Sequence, residues 1–72
     1  MKYIVIEIQK NANGTVGILV NDFDNENDAW SKYHLVLSAA AVSALPSHSA
    51  MIANETGYCI DHKCYVHEAA GE

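Results

Sequence analysis

With 72 residues and a formal net charge of −5, the chain has room for one small domain and carries no arginine. Its basic residues are Lys2, Lys10, Lys32 and Lys63, too few and too scattered to grip duplex nucleic acid or an anionic membrane. The 50% hydrophobic content argues against disorder, and a chain this short hides only about 60% of its unfolded surface. Surplus apolar surface therefore points to self-association.

Tyr3 to Gln9 alternate, with Ile4, Ile6 and Ile8 on one side and Tyr3, Val5, Glu7 and Gln9 on the other. That predicts a half-buried strand. Glu7 and Gln9 interrupt the apolar run before a secretory h-region or membrane span is complete, so a cytoplasmic chain with reduced thiols is expected. Asn13-Gly14 is a strong hairpin signal. Thr15 to Asn21 should return as a second strand, with Val16, Ile18 and Val20 opposite Gly17 and Leu19. Gly17 inside it suggests a bulge or a close backbone approach.

The acidic stretch Asn21 to Asp28 leads into a helix. Asp24 or Asn25 can cap it, and Glu26 and Asp28 complement its dipole. A calcium loop would need a central glycine and a glutamate at the twelfth position, where Tyr33 stands. The helix is expected to run to about Leu45, with Pro46 ending it. Trp30, Tyr33, His34, Leu37, Ala40, Ala41 and Ala44 share one broad face, expected to cover the sheet. Leu35, Ser38, Ala39 and Val42 make the opposite side apolar and small, as a subunit interface requires. Helix propensity explains the alanines but not Leu35 and Val42.

Beyond L-P-S-H, Ser49 to Ala53 reads as a short strand, Asn54-Glu55-Thr56-Gly57 as a turn and Tyr58 to His67 as the final strand, with residues 69–72 a frayed tail. The order ββαββ predicts an α+β fold: a four-stranded antiparallel sheet covered by one helix. Tyr3, Val5 and Leu19 leave the second sheet face semi-apolar, so assembly through sheets stays open beside assembly through helices.

The final strand carries C-I-D-H-K-C-Y-V-H, with Cys59, His62, Cys64 and His67 as metal-ligand types. Regular alternation puts His62 and Cys64 with Tyr58, Ile60 and Val66, and puts Cys59, Asp61, Lys63, Tyr65 and His67 on the other face. Four ligands split in this way cannot surround one ion unless the segment is irregular or two subunits combine. Cys59 and Cys64, about 16 Å apart along a strand, cannot form a disulfide with each other. There is no oxyanion loop, no oriented nucleophile–base pair and no cofactor fingerprint, so neither an enzyme nor a cofactor is expected.

K-Y-I-V-I-E-I-Q, N-G-T-V-G, K-Y-H-L-V-L-S-A-A-A-V-S-A-L-P-S-H and C-Y-V-H-E resemble a group of small uncharacterised proteins encoded by phages and prophages of Firmicutes-type bacteria. The resemblance spans nearly the whole chain and carries no catalytic motif. It implies an accessory protein that acts by binding, either masking a host protein or sequestering a small immune signal between identical subunits.

The expected function is thus a non-enzymatic homo-oligomer that binds a small, nucleotide-like ligand to counter host defence. Tyr33, His34, Ser47, His48, Tyr58 and Tyr65 are the expected pocket residues, since aromatic rings stack on flat groups and hydroxyls can meet phosphate. His48, among serines just past Pro46, is the leading polar candidate. One alternative is an acidic decoy for a host protein, centred on Asp22, Asp24, Glu26 and Asp28. Another is a module stabilised by metal through Cys59, His62, Cys64 and His67.

Overall fold

The computed structural model describes residues 1–67, and the tail expected over residues 69–72 lies outside them. Two hairpins flank one helix: β1 (Tyr3–Lys10), β2 (Val16–Phe23), α1 (Glu26–Ala41), β3 (Ser47–Asn54) and β4 (Cys59–Val66). All neighbouring strands are antiparallel and lie in the order β2-β1-β3-β4. The α+β architecture read from the sequence is the one observed. No helix among the described residues is long and apolar enough to cross a membrane.

Both hairpins close with the same chemistry. Gly14 N–H donates to Asn11 O at 3.0 Å, and Gly57 N–H donates to Asn54 O at 3.0 Å. Each glycine has a positive φ, +90° at Gly14 and +87° at Gly57, a region costly for any residue with a Cβ. Asn13 Oδ1 accepts from Thr15 N–H and Asn54 Oδ1 from Thr56 N–H, each at 3.0 Å, so asparagine side chains complete both turns.

Asn25 caps α1, its Oδ1 accepting from Asp28 N–H at 2.9 Å. The helix buries Ala29, Tyr33, Val36 and Ala40, spaced i, i+4, i+7 and i+11. That stripe is rotated from the expected one: Trp30 and Leu37 pack at its margin, while His34 and Ala41 are exposed. The helix also ends at Ala41, four residues before Leu45. Tighter bonds take over there, with Val42 N–H donating to Ala39 O and Ser43 N–H to Ala40 O. Pro46 disfavours helical backbone at Leu45 and adds to the early stop. His67 Nε2 also donates to Ala40 O at 2.8 Å and ties the end of β4 to the last turn of the helix.

The core joins Ala29, Tyr33 and Val36 to Val5, Ala50 and Ile52. Register and alternation therefore put Tyr3, Val5, Glu7 and Gln9 on the helix side, together with His48, Ala50 and Ile52. Ala29, Ala40 and Ala50 bring the backbones close, and Ile52, Val5 and Tyr33 fill the layer. Burying a side chain the size of Ile52 stabilises the fold by about 2 kcal/mol. The isoleucine face, by contrast, has no helix over it.

Candidate functional site

The six expected pocket residues do not converge within one chain. Tyr33 is a core residue at 1% exposure, and Tyr58 lies 67% exposed at the opposite hairpin end from Ser47. His34 is exposed on α1 and stacks on the Trp30 ring at 5.5 Å. Only Ser47, His48 and Tyr65 share one end of the sheet: His48 is paired with Tyr65, and Ser47 points to the other face. Tyr65 in turn stacks with His67 and has Lys63 Nζ 5.2 Å from its ring centroid. Tyr33 Oη has no hydrogen-bond partner. Burial, followed by the nearby negative charge of Asp61, pushes this phenol up to about 12.

His48 instead belongs to a polar cluster that involves Glu7, a residue the sequence reading left aside. His48 Nε2 lies 2.6 Å from Glu7 Oε2 and Gln9 Nε2 lies 2.8 Å from the same oxygen. An ionised carboxylate only accepts, so both nitrogens donate. His48 is 5% exposed, and its Nδ1 has no partner. Burial raises the Glu7 carboxyl, but the bonds from Gln9 and His48, with the charges of His48 and Lys32, outweigh it. They hold the group below the ordinary 4.5. The available signal was the polar break in Y-I-V-I-E-I, which puts Glu7 on the Val5 face.

The helix-free face is built from every second residue of all four strands. Ile4, Ile6 and Ile8 run down β1, flanked by Val16, Ile18 and Val20 on β2 and by Ser49, Met51 and Ala53 on β3. A shallow cavity of about 270 Å³ opens there, lined by Ile8, Ser49, Ala50, Met51, His62, Lys63 and Cys64. Ser47 Oγ and Cys64 Sγ approach to 3.5 Å beside it. Met51 and Ile8 supply apolar floor, and Ser49, His62 and Cys64 supply the polar groups.

Parity along β4 departs from the expected alternation. A bulge between Ile52 and Ala53 sets Cys59 opposite Ala53 and Asp61 opposite Ile52, with Ile60 packed against the core. Cys59 therefore shares the helix-free face with His62 and Cys64, whereas His67 reaches back to α1. Cys59 and Cys64 are free thiols. Among the described residues no three His, Cys, Asp or Glu side chains gather closely enough to hold a metal ion.

The acidic run is largely committed within the chain. Lys2 Nζ bridges Asp22 at 3.0 Å and Asp24 at 2.8 Å. Asp28 Oδ2 accepts from Asn25 Nδ2, and Glu26 Oε2 accepts from Trp30 Nε1. These contacts tie the N-terminal segment to the start of the helix, and the side chains of Asp22 and Asp24 stay largely exposed. Set beside family models, curated proteins and solved structures, the chain finds no match. The functional reading therefore rests on the chain's own geometry.

Proposed function

We propose that this chain is a non-enzymatic binding protein that works as a homo-oligomer, and that the helix-free sheet face is its ligand-binding surface. Four strands about 4.8 Å apart and eight residues long span a plane of about 500 Å². That is the size of patch that is often functional on a small protein. The supporting observation is the composition of this face: Ile18, Val20 and Val16 stand 62%, 62% and 53% exposed beside the half-buried isoleucines of β1. A lone chain leaves this surface wet.

The cavity of about 270 Å³ is close to the lower bound of about 300 Å³ for small-molecule sites. Its apolar floor suits a flat group such as a nucleobase, and Ser49 and His62 can bond that group's edge. This matches the sequestering, anti-defence role that the phage resemblance implies. Subunit contacts can draw on Leu35, Ser38, Ala39 and Val42 on α1, of which Leu35 and Val42 are 64% and 85% exposed. They can also draw on β2.

The test is thermal melting with a panel of nucleosides, cyclic dinucleotides and ADP-ribose-type nucleotides. A ligand at 100 times its Kd stabilises by about 2.7 kcal/mol, a rise of about 10–20 °C for a domain this small. His62→Ala and Met51→Lys should abolish the rise and leave the unliganded melting temperature nearly unchanged. A panel without any shift, or a shift indifferent to both substitutions, refutes this surface as the site.

A further inference from the structure

The two edges of the sheet are defended differently. β4 carries the bulge opposite Ile52 and Ala53 and the charged run Asp61-His62-Lys63, the devices by which edge strands avoid pairing. β2 has none of them. Its eight residues V-G-I-L-V-N-D-F keep an unbroken register with β1 and contain no proline and no lysine. Ile18 and Val20 on one face and Leu19 on the other are more than half exposed.

Its hydrogen-bonding phase follows from the hairpin. Asn11 N–H donates to Thr15 O at 2.8 Å. Alternation then makes Gln9–Gly17, Glu7–Leu19, Val5–Asn21 and Tyr3–Phe23 the bonded pairs of the β1–β2 ladder. The odd-numbered residues of β2 thus bond inward. Val16, Ile18, Val20 and Asp22 turn their N–H and C=O groups outward.

We propose that β2 pairs antiparallel with β2 of a second copy about a twofold axis at Leu19, joining two four-stranded sheets into one of eight. The proposal rests on the homo-oligomeric part of the function proposed above and not on its ligand. Paired residues must share a sheet face, so the twofold axis falls on a residue and not between two. Centred on Leu19, the register sets Val16 against the partner's Asp22 and Ile18 against the partner's Val20. All outward groups of all four residues are then bonded. Centring on Val20 would carry Val16 past the end of the strand, opposite the partner's Asp24.

The charges fit this register. Asp22, the one charged residue of β2, is already bonded by Lys2 at 3.0 Å. Opposite Val16, it comes within two strand spacings, about 10 Å of backbone separation, of the partner's Lys10 on the same face. Lys10 is exposed and has no ion pair among the described residues. The two Asp22 side chains stand about 20 Å apart, well beyond the screening length of about 8 Å. Joined in this way, the sheets present one continuous apolar face, the surface on which the ligand reading depends.

Disulfide trapping tests the register. In a Cys59→Ser, Cys64→Ser background, Leu19→Cys should cross-link to its own copy, because a non-bonded antiparallel pair brings the Cα atoms to about 4.5 Å. Val20→Cys, diagonal to itself across the axis, should not. Sedimentation should show a dimer for the native chain and a monomer for Ile18→Lys, with circular dichroism unchanged. Val20→Pro, which removes only an outward N–H, should behave likewise. A dimer that ignores Ile18→Lys, or that leaves Leu19→Cys untrapped, overturns the β2 interface and leaves homo-oligomerisation standing. A native monomer overturns both, while ligand-induced melting still judges the binding surface separately.

Discussion

Substituting Glu7 by methionine keeps the side-chain volume and removes the acceptor shared by His48 and Gln9. The imidazole of His48, 5% exposed, would then hold both ring nitrogens unpartnered. Removing one member of a fully buried pair costs about 3–5 kcal/mol. The Glu7 side chain keeps 15% of its surface in solvent, so about 2–3 kcal/mol is expected. For a domain of this size that lowers Tm by about 10–20 °C. His48→Met should cost less, about 1–2 kcal/mol, because Gln9 still bonds the carboxylate. The double substitution should cost at least 1 kcal/mol less than the sum of the two, as groups in one network do. Urea unfolding followed by fluorescence of Trp30, the single tryptophan, measures all three. The pH dependence has a definite sign. The Glu7 carboxyl lies below 4.5 in the fold, so its contribution is complete above that value and is lost as pH falls through the folded pKa. The Glu7→Met penalty should therefore shrink in acid. A penalty under about 0.5 kcal/mol, strict additivity, or a penalty that stays flat with pH would refute the coupling argued here.

Gly14→Ala and Gly57→Ala meet no neighbouring atoms; each should lower stability by about 1–2 kcal/mol through its positive φ alone, additively, in urea midpoints. Asn25→Ala removes the cap of α1 and should cost about 1 kcal/mol, with Asn25→Asp restoring most of it. In an alkaline absorbance titration of the four tyrosines, one phase should appear near 12. Tyr33→Phe should remove that phase and cost less than about 1 kcal/mol, since the hydroxyl has no partner to lose.

Local chemistry in the sequence was enough for the elements and their order. Alternation over Tyr3 to Gln9 marked β1, Asn13-Gly14 and Asn54-Glu55-Thr56-Gly57 marked the two hairpin turns, and Asp24 or Asn25 marked the helix start, because each signal acts within a few residues. Ends were less legible: α1 stops four residues early in tighter backbone bonds, and the reach of β3 back to Ser47 depends on pairing with Lys10, distant in the chain. The split of Cys59, His62, Cys64 and His67 between faces was misplaced by a bulge, which moves Cys59 to the side of His62 and Cys64; a bulge is set by the neighbouring strand and leaves no mark on β4 alone. The largest difference lies in the faces. Periodicity showed that β1 has an isoleucine side and a Val5–Glu7 side, and the expectation that the side of Tyr3, Val5 and Leu19 is open for assembly fails at Val5, a core residue at 1% exposure. β2 and β3 both run antiparallel to β1, so α1 is a crossover between two mutually parallel strands. Crossover chirality, and not hydrophobicity, decides which face such a helix covers. By putting α1 over Val5, the tertiary structure buried Glu7 with His48 and left the greasier side of the sheet in water.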